Sequence, residues 1–320
     1  MKSFNVLPYD SNFDFLRLRW ISLGISALLL LVAVGAIVGK GFNFALDFTG
    51  GTVTELRFER PVEVGDIRAR LAAAGYDNAQ VQTFGSGNDL LIRLQPRAAA
   101  AGTVDATSTV AGEVQRAVSS TDNPGTVIKS DYVGPQVGKE LAVNGIWAFI
   151  FVIVGFLIYV SFRFEKKFAI AAVITSINDV ILVLGWFALT GHEFDLAVLA
   201  GVLSVLGFSI NDTIVIFDRI RDNFRSMRAD PITILNKSIN QTLSRTVITS
   251  FVALLTMLAL YFYGGGSLKG MAEAMLLGVM VGTLSSIFVA APLLTLGPLR
   301  VVKQDLMPKA KDEAALARRP

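Results

Sequence analysis

Long apolar runs alternate with polar segments along the chain. The apolar runs occupy residues 20–38, 141–162, 168–189, 196–217, 246–263 and 271–296. Each is close to the roughly 20 residues that an α-helix needs to cross the hydrocarbon core of a bilayer. The first run is longer than the apolar core of a signal peptide, so we interpret it as a retained helix. The pattern predicts an α-helical polytopic membrane protein with six transmembrane helices.

The segment between the first two runs has the character of a folded soluble domain. Its apolar positions alternate as in strands or recur as in helices. The predicted elements are a strand at 52–58, a helix at 64–74, strands at 79–84 and 89–94 joined across the glycine-rich residues 85–88, a helix at 103–118 and a strand at 126–133. The order β-α-β-β-α-β is typical of a ferredoxin-like α+β domain, which we expect to fold on its own.

Positive charges next to the apolar runs indicate the orientation. They precede the first run, lie between the second and third and between the fourth and fifth, and follow the sixth, so all four groups fall on one side. Both termini are therefore predicted to be cytoplasmic and the folded domain periplasmic. The predicted regions are a cytoplasmic N-terminus (1–19), helix 1 (20–38), the periplasmic domain (39–139), helices 2–6 (140–299) with a cytoplasmic amphipathic segment broken at Pro231 (218–245), and a cytoplasmic tail (300–320).

Two of the apolar runs contain the same tetrapeptide, Ser-Ile-Asn-Asp. It ends in Asp179 in the third run and in Asn211-Asp212 in the fourth. A charged side chain at the centre of a membrane helix typically costs about 2.5–3.5 kcal/mol or more, so such residues usually face a bundle interior and mark an ion or proton path. We interpret Asp212, Asn211 and Asp179 as candidate proton-pathway residues. The alternative is a neutral aspartate that joins helices through hydrogen bonds.

Arg245 opens the fifth run, which is antiparallel to the fourth. It either anchors the helix at the cytoplasmic interface or reaches inward to pair with Asp212. In the second case, protonation of the aspartate would break an ion pair and release one helix against another.

Three further features have structural interpretations. Small residues recur every fourth position in the sixth run and predict close helix packing. Pro292 is expected to kink or end that helix. His192, the only histidine, is expected in a short outer turn as a solvated side chain.

Composition excludes several classes of function. The net charge is +3 and the pI about 9.1, but the basic residues flank apolar runs, so we expect no nucleic-acid binding. The absence of cysteine and the single histidine argue against a metal site, and no phosphate-binding glycine pattern is present. We therefore expect no cofactor and no enzymatic activity, and any work would draw on the membrane gradient.

Four motifs resemble the SecF family of protein-export membrane proteins. They are Ala45-Leu46-Asp47-Phe48-Thr49-Gly50-Gly51 after the first run, the segment from Ser209 to Arg221 around Asp212, the segment from Thr242 to Thr246 around Arg245, and the segment from Gly278 to Ser286. The resemblance covers essentially the whole chain.

The resemblance implies a subunit of the SecDF complex, similar in fold to half of a resistance-nodulation-division transporter, in the bacterial inner membrane. It implies use of the proton-motive force to promote preprotein translocation, with Asp212 and Arg245 at the family's charged membrane positions. The implied partners are SecD, the SecYEG translocon, unfolded preprotein and protons, with YajC and YidC as further candidates. The family often has His-Asp where this chain has Asn178-Asp179, which weakens a relay at that position. Two alternatives stay open: a small-molecule or lipid exporter of the same superfamily, and a purely structural subunit.

Overall fold

The computed structural model describes residues 12–77, 79–84, 88–94, 105–120 and 122–302. The predicted hairpin turn at 85–87, the start of the predicted helix at 103 and the tail from residue 303 lie outside these ranges. The chain divides into two compact units, Met1–Asn43 with Phe149–Pro320, and Phe44–Ala148.

Six helices of the described chain are long and apolar enough to cross a membrane, which confirms the predicted number. They are α1 (Arg19–Gly39), α5 (Pro135–Arg163), α6 (Lys166–Thr190), α7 (Leu196–Ser226), α8 (Pro231–Tyr263) and α9 (Gly266–Ser285). The short elements of this unit include the 3-10 helices Phe15–Leu18 and Gly297–Leu299, the π-helix Ser286–Ala290, helix α10 (Ala291–Leu293) and the strand β6 (Glu193–Phe194).

The region between the fourth and fifth spans differs from the prediction of a separate amphipathic segment. Helix α7 continues to Ser226, and α8 begins at Pro231 and runs unbroken into the fifth span. Proline is tolerated in the first turn of a helix because its missing N–H has no partner there, and the Asp230 carboxylate accepts from Thr233 N. Pro231 therefore starts a helix instead of breaking one.

Helices α7 and α9 pack in parallel with their backbones in close contact. A Cβ atom on Gly278 would lie 2.0 Å from Val205 Cγ2, and one on Gly282 would lie 3.2 Å from Ser209 Cβ. A Cβ on Gly201 would lie 3.0 Å from Met271 O. The glycines allow close approach of the two helices, as the stripe of small residues predicted.

The sixth span ends irregularly. The π-helix Ser286–Ala290 follows α9, and the helical structure closes one turn beyond Pro292, where Thr295 N donates to Pro292 O. A π-helix is rare and is often found at functional sites.

The unit Phe44–Ala148 contains a four-stranded antiparallel sheet. Strand β1 (Asn43–Phe44) spans the boundary between the two units, and the elements that follow it are α2 (Leu46–Thr49), β2 (Gly51–Phe58), α3 (Val64–Ala73), β3 (Gln80–Phe84), β4 (Asp89–Leu94), α4 (Asp105–Val118) and β5 (Gly125–Val133). The strand order is β3-β4-β2-β5, with Thr52 opposite Leu94 and Gly51 opposite Val133. Strand β2 thus pairs with β4 on one side and with β5 on the other.

One core joins this sheet to its two longer helices. Leu56 of β2, Leu90 of β4, Leu71 of α3 and Val114 of α4 are each fully buried in it. Where β2 ends and β4 begins, Arg57 Nε donates to Asp89 Oδ1 at 2.7 Å. That hydrogen bond raises the pKa of the Arg57 guanidinium above its ordinary value.

Two consecutive glycines lead into β2. Gly50 and Gly51 have φ angles of 67° and 125°, a region that side-chain-bearing residues rarely adopt. A Cβ on Gly51 would also lie 2.3 Å from Leu94 O. Glycine at this position therefore lets the chain turn sharply from α2 into the central strand.

Candidate functional site

Asp212 lies on α7 and is 2 % exposed. Its Oδ2 accepts a hydrogen bond from Ser250 Oγ on α8 at 3.4 Å. Ser250 Oγ in turn lies 2.7 Å from Thr283 Oγ1 on α9, and Thr283 Oγ1 lies 2.6 Å from Val279 O. A chain of hydroxyl groups thus connects the carboxylate to two neighbouring helices.

The direction of this hydrogen-bond chain depends on the proton of Asp212. Each hydroxyl has one proton to donate, and an ionised carboxylate can only accept. When Asp212 is ionised, Ser250 donates to it and Thr283 donates to Ser250. When Asp212 is protonated, it can donate to Ser250, Ser250 to Thr283, and Thr283 to Val279 O. Gain of one proton can therefore reverse the two bonds made by Ser250 and form the bond from Thr283 Oγ1 to Val279 O.

Asp179 on α6 is fully buried in a second polar cluster. Its Oδ2 accepts from Ser209 Oγ on α7 at 2.5 Å and from Ser285 Oγ on α9 at 2.7 Å. Its Oδ1 lies 3.4 Å from Asn178 Nδ2, and Asn178 Oδ1 accepts from Ser26 Oγ on α1 at 3.2 Å. The carboxylate joins three helices directly and a fourth through its neighbour.

The two clusters lie on different seams of the bundle. Asp179 bonds across the α6, α7 and α9 seam, whereas Asp212 bonds toward α8 and α9. Ser209 and Asp212 are three residues apart on α7, so the clusters are neighbours along one helix, but the carboxylates share no hydrogen-bond partner.

Arg245 and Asn211 occupy the periphery of the site. Both residues are exposed. Arg245 is near enough to Asp212 to interact electrostatically, but among the described residues the pair makes no salt bridge within 4.0 Å. The structure thus brings Asp212 together with Ser250 and Thr283, while Asn211 points away from the cluster.

Buried hydroxyl groups are the part of the site that the sequence analysis missed. Ser209, Ser250, Thr283 and Ser285 carry the hydrogen bonds of the two aspartates. Two further hydroxyls, those of Ser176 and Thr246, are at most 1 % exposed and have no hydrogen-bond partner in the described part of the chain. Each is on the same helix face as a cluster member, Ser176 one turn from Asp179 and Thr246 one turn from Ser250. A buried hydroxyl without a partner is costly, which marks both positions as places where water or a proton carrier is favoured.

Trp186, His192 and Glu273 form a polar triad near the C-terminal end of α6. Glu273 Oε1 on α9 accepts from Trp186 Nε1 at 2.8 Å and lies 2.7 Å from His192 Nδ1. The His192 side chain is 51 % exposed, so it is partly solvated as expected but also paired. Nearby, Lys40 Nζ donates to Leu189 O at 2.6 Å. These contacts join the end of α6 to α9 and to the residue that follows α1.

Comparison with protein families adds the deciding observation. Residues 113–297 match the family described as protein export membrane protein SecD/SecF, C-terminal, and residues 35–62 match the SecD/SecF GG motif. The chain belongs to the SecD/SecF family. The GG motif of this SecD/SecF member contains Gly50 and Gly51, the glycines at the turn into β2.

Individual relatives extend over nearly the whole chain. The chain is 43 % identical over 301 residues to a protein translocase subunit SecF of Pseudomonas aeruginosa, covering 93 % of this chain and 95 % of the relative. It is 41 % identical to a protein translocase subunit SecF of Escherichia coli O157:H7, with 95 % and 93 % covered. A protein translocase subunit SecDF of Brucella abortus is 37 % identical, but this chain spans only 38 % of its length.

Solved structures give the same result for the fold. The crystal structure of SecDF from Thermus, described as a translocon-associated membrane protein, matches with a TM-score of 0.80 at 36 % identity. The match covers 91 % of this SecD/SecF member and 39 % of the solved chain. A crystal structure of SecDF in a super-membrane-facing form matches with a TM-score of 0.64. The chain therefore corresponds to about two fifths of the length of those solved SecDF chains.

Proposed function

We propose that this chain is the SecF subunit of a SecDF complex, which uses the proton-motive force to promote Sec-dependent preprotein translocation across the inner membrane. The observation that carries the proposal is the buried carboxylate of Asp212 at the head of a hydroxyl chain that reaches α8 and α9. The SecF and SecDF relatives support the translocation role.

The proposed energy conversion starts at Asp212. One elementary charge that crosses a potential of 100 mV yields about 2.3 kcal/mol. Proton binding at Asp212 removes its charge and its interaction with Arg245, and it reverses the hydrogen bonds through Ser250 and Thr283. The ionised and protonated forms of Asp212 therefore have different hydrogen-bond patterns among α7, α8 and α9. Two such patterns provide a two-state element of the kind that transport requires.

Asp179 has a second, supporting role in this proposal. It accepts from Ser209 on the same helix that carries Asp212, so a shift of α7 changes the acceptor geometry at Asp179. The partnerless hydroxyls of Ser176 and Thr246 are the positions where we expect water to continue the proton path.

The proposed topology places both termini in the cytoplasm. Residues 39–139 would then form a periplasmic ferredoxin-like domain, as the element order β2-α3-β3-β4-α4-β5 and the sheet order support. We propose that this domain binds or releases unfolded polypeptide as the helices move.

SecD is the proposed partner within the membrane. Arg245 and Asn211 are exposed in the fifth and fourth spans, where a polar group facing lipid is costly. We propose that helices of SecD cover this face, since the SecDF relatives are much longer than this chain. SecYEG, and YajC and YidC beside it, are proposed as partners of the assembled complex.

The decisive experiment substitutes Asp212→Asn in the full SecDF complex reconstituted with SecYEG in vesicles. The control is Asp222→Asn, the same change at an exposed position of the same helix. We expect Asp212→Asn to lower gradient-stimulated translocation to the rate without SecDF, while the purified complex stays intact and the control is unaffected. Undiminished translocation by Asp212→Asn at equal abundance would refute the proposal, and loss of the complex would instead indicate a structural subunit.

A further inference from the structure

A small cavity opens at the end of the bundle where α1 begins. Its volume is about 140 Å³. Its walls come from the first turns of α8, the residues after the last span and the start of α1, and the lining residues are Arg19, Pro231, Ile232, Leu235, Leu294, Thr295 and Arg300. Three segments distant in sequence therefore build one compartment.

Two arginines line this cavity, and they are far apart in the sequence. Arg19 is the first residue of α1, and Arg300 follows the last helical turn. Within the described residues neither side chain has a hydrogen-bond or salt-bridge partner. The two positive charges are therefore available to an anionic ligand, and two guanidinium forks suit a phosphate group.

The nearby carboxylates do not neutralise these arginines. Asp14 Oδ1 accepts from Arg17 N and from Asn236 Nδ2. Asp230 Oδ2 accepts from Thr233 N at 3.1 Å and so caps α8. Neither carboxylate lines the cavity. Lys167 Nζ donates to Arg300 O at 2.9 Å, which holds the backbone of Arg300 at the end of the last span.

The remaining walls are apolar and lie at the membrane boundary. Leu235 and Leu294 are 1 % exposed and close the cavity from below, whereas Ile232 is 38 % exposed and presents an apolar wall. Trp20, next to Arg19, is 66 % exposed, and tryptophan at the end of a span is typical of the headgroup level of a bilayer. A ligand that fits both kinds of wall has an anionic phosphate next to an aliphatic portion.

We propose that this cavity binds the headgroup of an anionic phospholipid, with the phosphate between Arg19 and Arg300 and the first acyl carbons against Ile232. The bound lipid would join the start of α1, the start of α8 and the end of the last span. This site is separate from the aspartate clusters, and the inference does not depend on the proposed transport function.

Native mass spectrometry of the full SecDF complex tests this binding. The complex is released from vesicles of phosphatidylcholine that contain phosphatidylglycerol as the minor component, and the number of retained phosphatidylglycerol molecules is counted. We expect Arg300→Gln to lower the occupancy of one retained lipid by about tenfold, because a charge-assisted contact is lost. Arg300 is exposed and follows the last helix, so its substitution leaves the bundle folded.

Two further variants define the outcome. Arg17→Gln removes a charge of the same sign at an exposed position outside the cavity and should leave retention unchanged. Arg19→Lys keeps the charge but loses the forked geometry, and it should lower retention. Equal retention by wild type and Arg300→Gln, or an equal loss with Arg17→Gln, would overturn the proposal.

Inorganic phosphate distinguishes a lipid site from a simple anion site. The complex that retains phosphatidylglycerol is titrated with inorganic phosphate. Because the apolar walls contribute only to the lipid, we expect phosphate to leave the retained lipid in place. Displacement of the lipid by phosphate would show that the walls make no contribution and would overturn the lipid assignment.

Discussion

The hydroxyl oxygens of Ser250 on α8 and Thr283 on α9 lie 2.7 Å apart, and Ser250 also reaches the carboxylate of Asp212. Through this contact, the protonation state of Asp212 on α7 can affect the hydrogen bonds of α8 and α9. Thr283 Oγ1 also lies next to the backbone oxygen of Val279, so the series of hydrogen bonds ends within α9.

Removal of the terminal hydroxyl should therefore uncouple Asp212 from α9. We expect Thr283→Val to lower gradient-stimulated translocation about tenfold, the effect of losing roughly 1.4 kcal/mol, and Thr283→Ser to restore it. Infrared difference spectroscopy of the complex should also show a shifted carboxyl band that Asp212→Asn removes. The matched control is Thr256→Val, which removes a hydroxyl that bonds only within α8. A carboxyl band that Thr283→Val leaves in place would contradict the coupling.

Asp179 should contribute chiefly to stability. Asp179→Ala removes the acceptor of Ser209 and Ser285, and of these two Ser285 can still donate to Gly282 O. One buried donor without a partner costs about 1–3 kcal/mol, so the thermal unfolding midpoint should fall. Asp179→Asn keeps an acceptor oxygen and should lose less. Similar midpoints for the alanine variant and the wild type would show that the cluster holds no helices together.

The contact between α7 and α9 should not tolerate a methyl group at Gly278. A Cβ there would lie 2.0 Å from Val205 Cγ2, so Gly278→Ala should force the helices apart and cost about 1–3 kcal/mol. Gly207→Ala is the control, because a Cβ at Gly207 meets nothing within 4 Å. Both variants can be compared by thermal unfolding in detergent, and equal midpoints would contradict the close packing.

The sheet unit should depend on its buried leucines. Leu90 is 0 % exposed, and Leu90→Ala should lower the unfolding free energy of this unit by about 2–5 kcal/mol. Hydrogen exchange of the β2 and β4 amides in the full chain measures the loss. Leu91→Ala, at the partly exposed neighbouring position, should cause a smaller change. If the two variants exchange alike, the assigned core face is wrong.

The elements that the sequence predicted correctly are those whose pattern of apolar residues is compatible with only one type of secondary structure. An apolar run of spanning length has no other stable form in a bilayer, which is why all six spans were found. Alternation and glycine-rich turns likewise predicted the strands β2, β3, β4 and β5. The extent of α7 and α8 was missed because polar residues end an apolar run without ending a helix.

The partners of the aspartates could not be predicted for a physical reason. A serine or threonine in a membrane helix usually donates to the carbonyl of its own preceding turn, as Thr213 does to Ser209 O. The sequence pattern of Ser250 or Thr283 is the same, and only the packing of three helices brings their hydroxyls together. Similarly, the distance of Glu273 from His192 in the sequence concealed their pairing.

The absence of side chains between α7 and α9 at Gly201, Gly278 and Gly282 also limits how the bundle can move. Because α7 and α9 are in close contact at three successive turns, one cannot slide along the other without steric clashes. The two helices should therefore move together as a rigid body. Relative displacement is then left to α8, which at the level of Ser250 meets α7 and α9 through reversible hydroxyl contacts. The three glycines would thus make α7 and α9 the rigid pair and α8 the helix that moves relative to it.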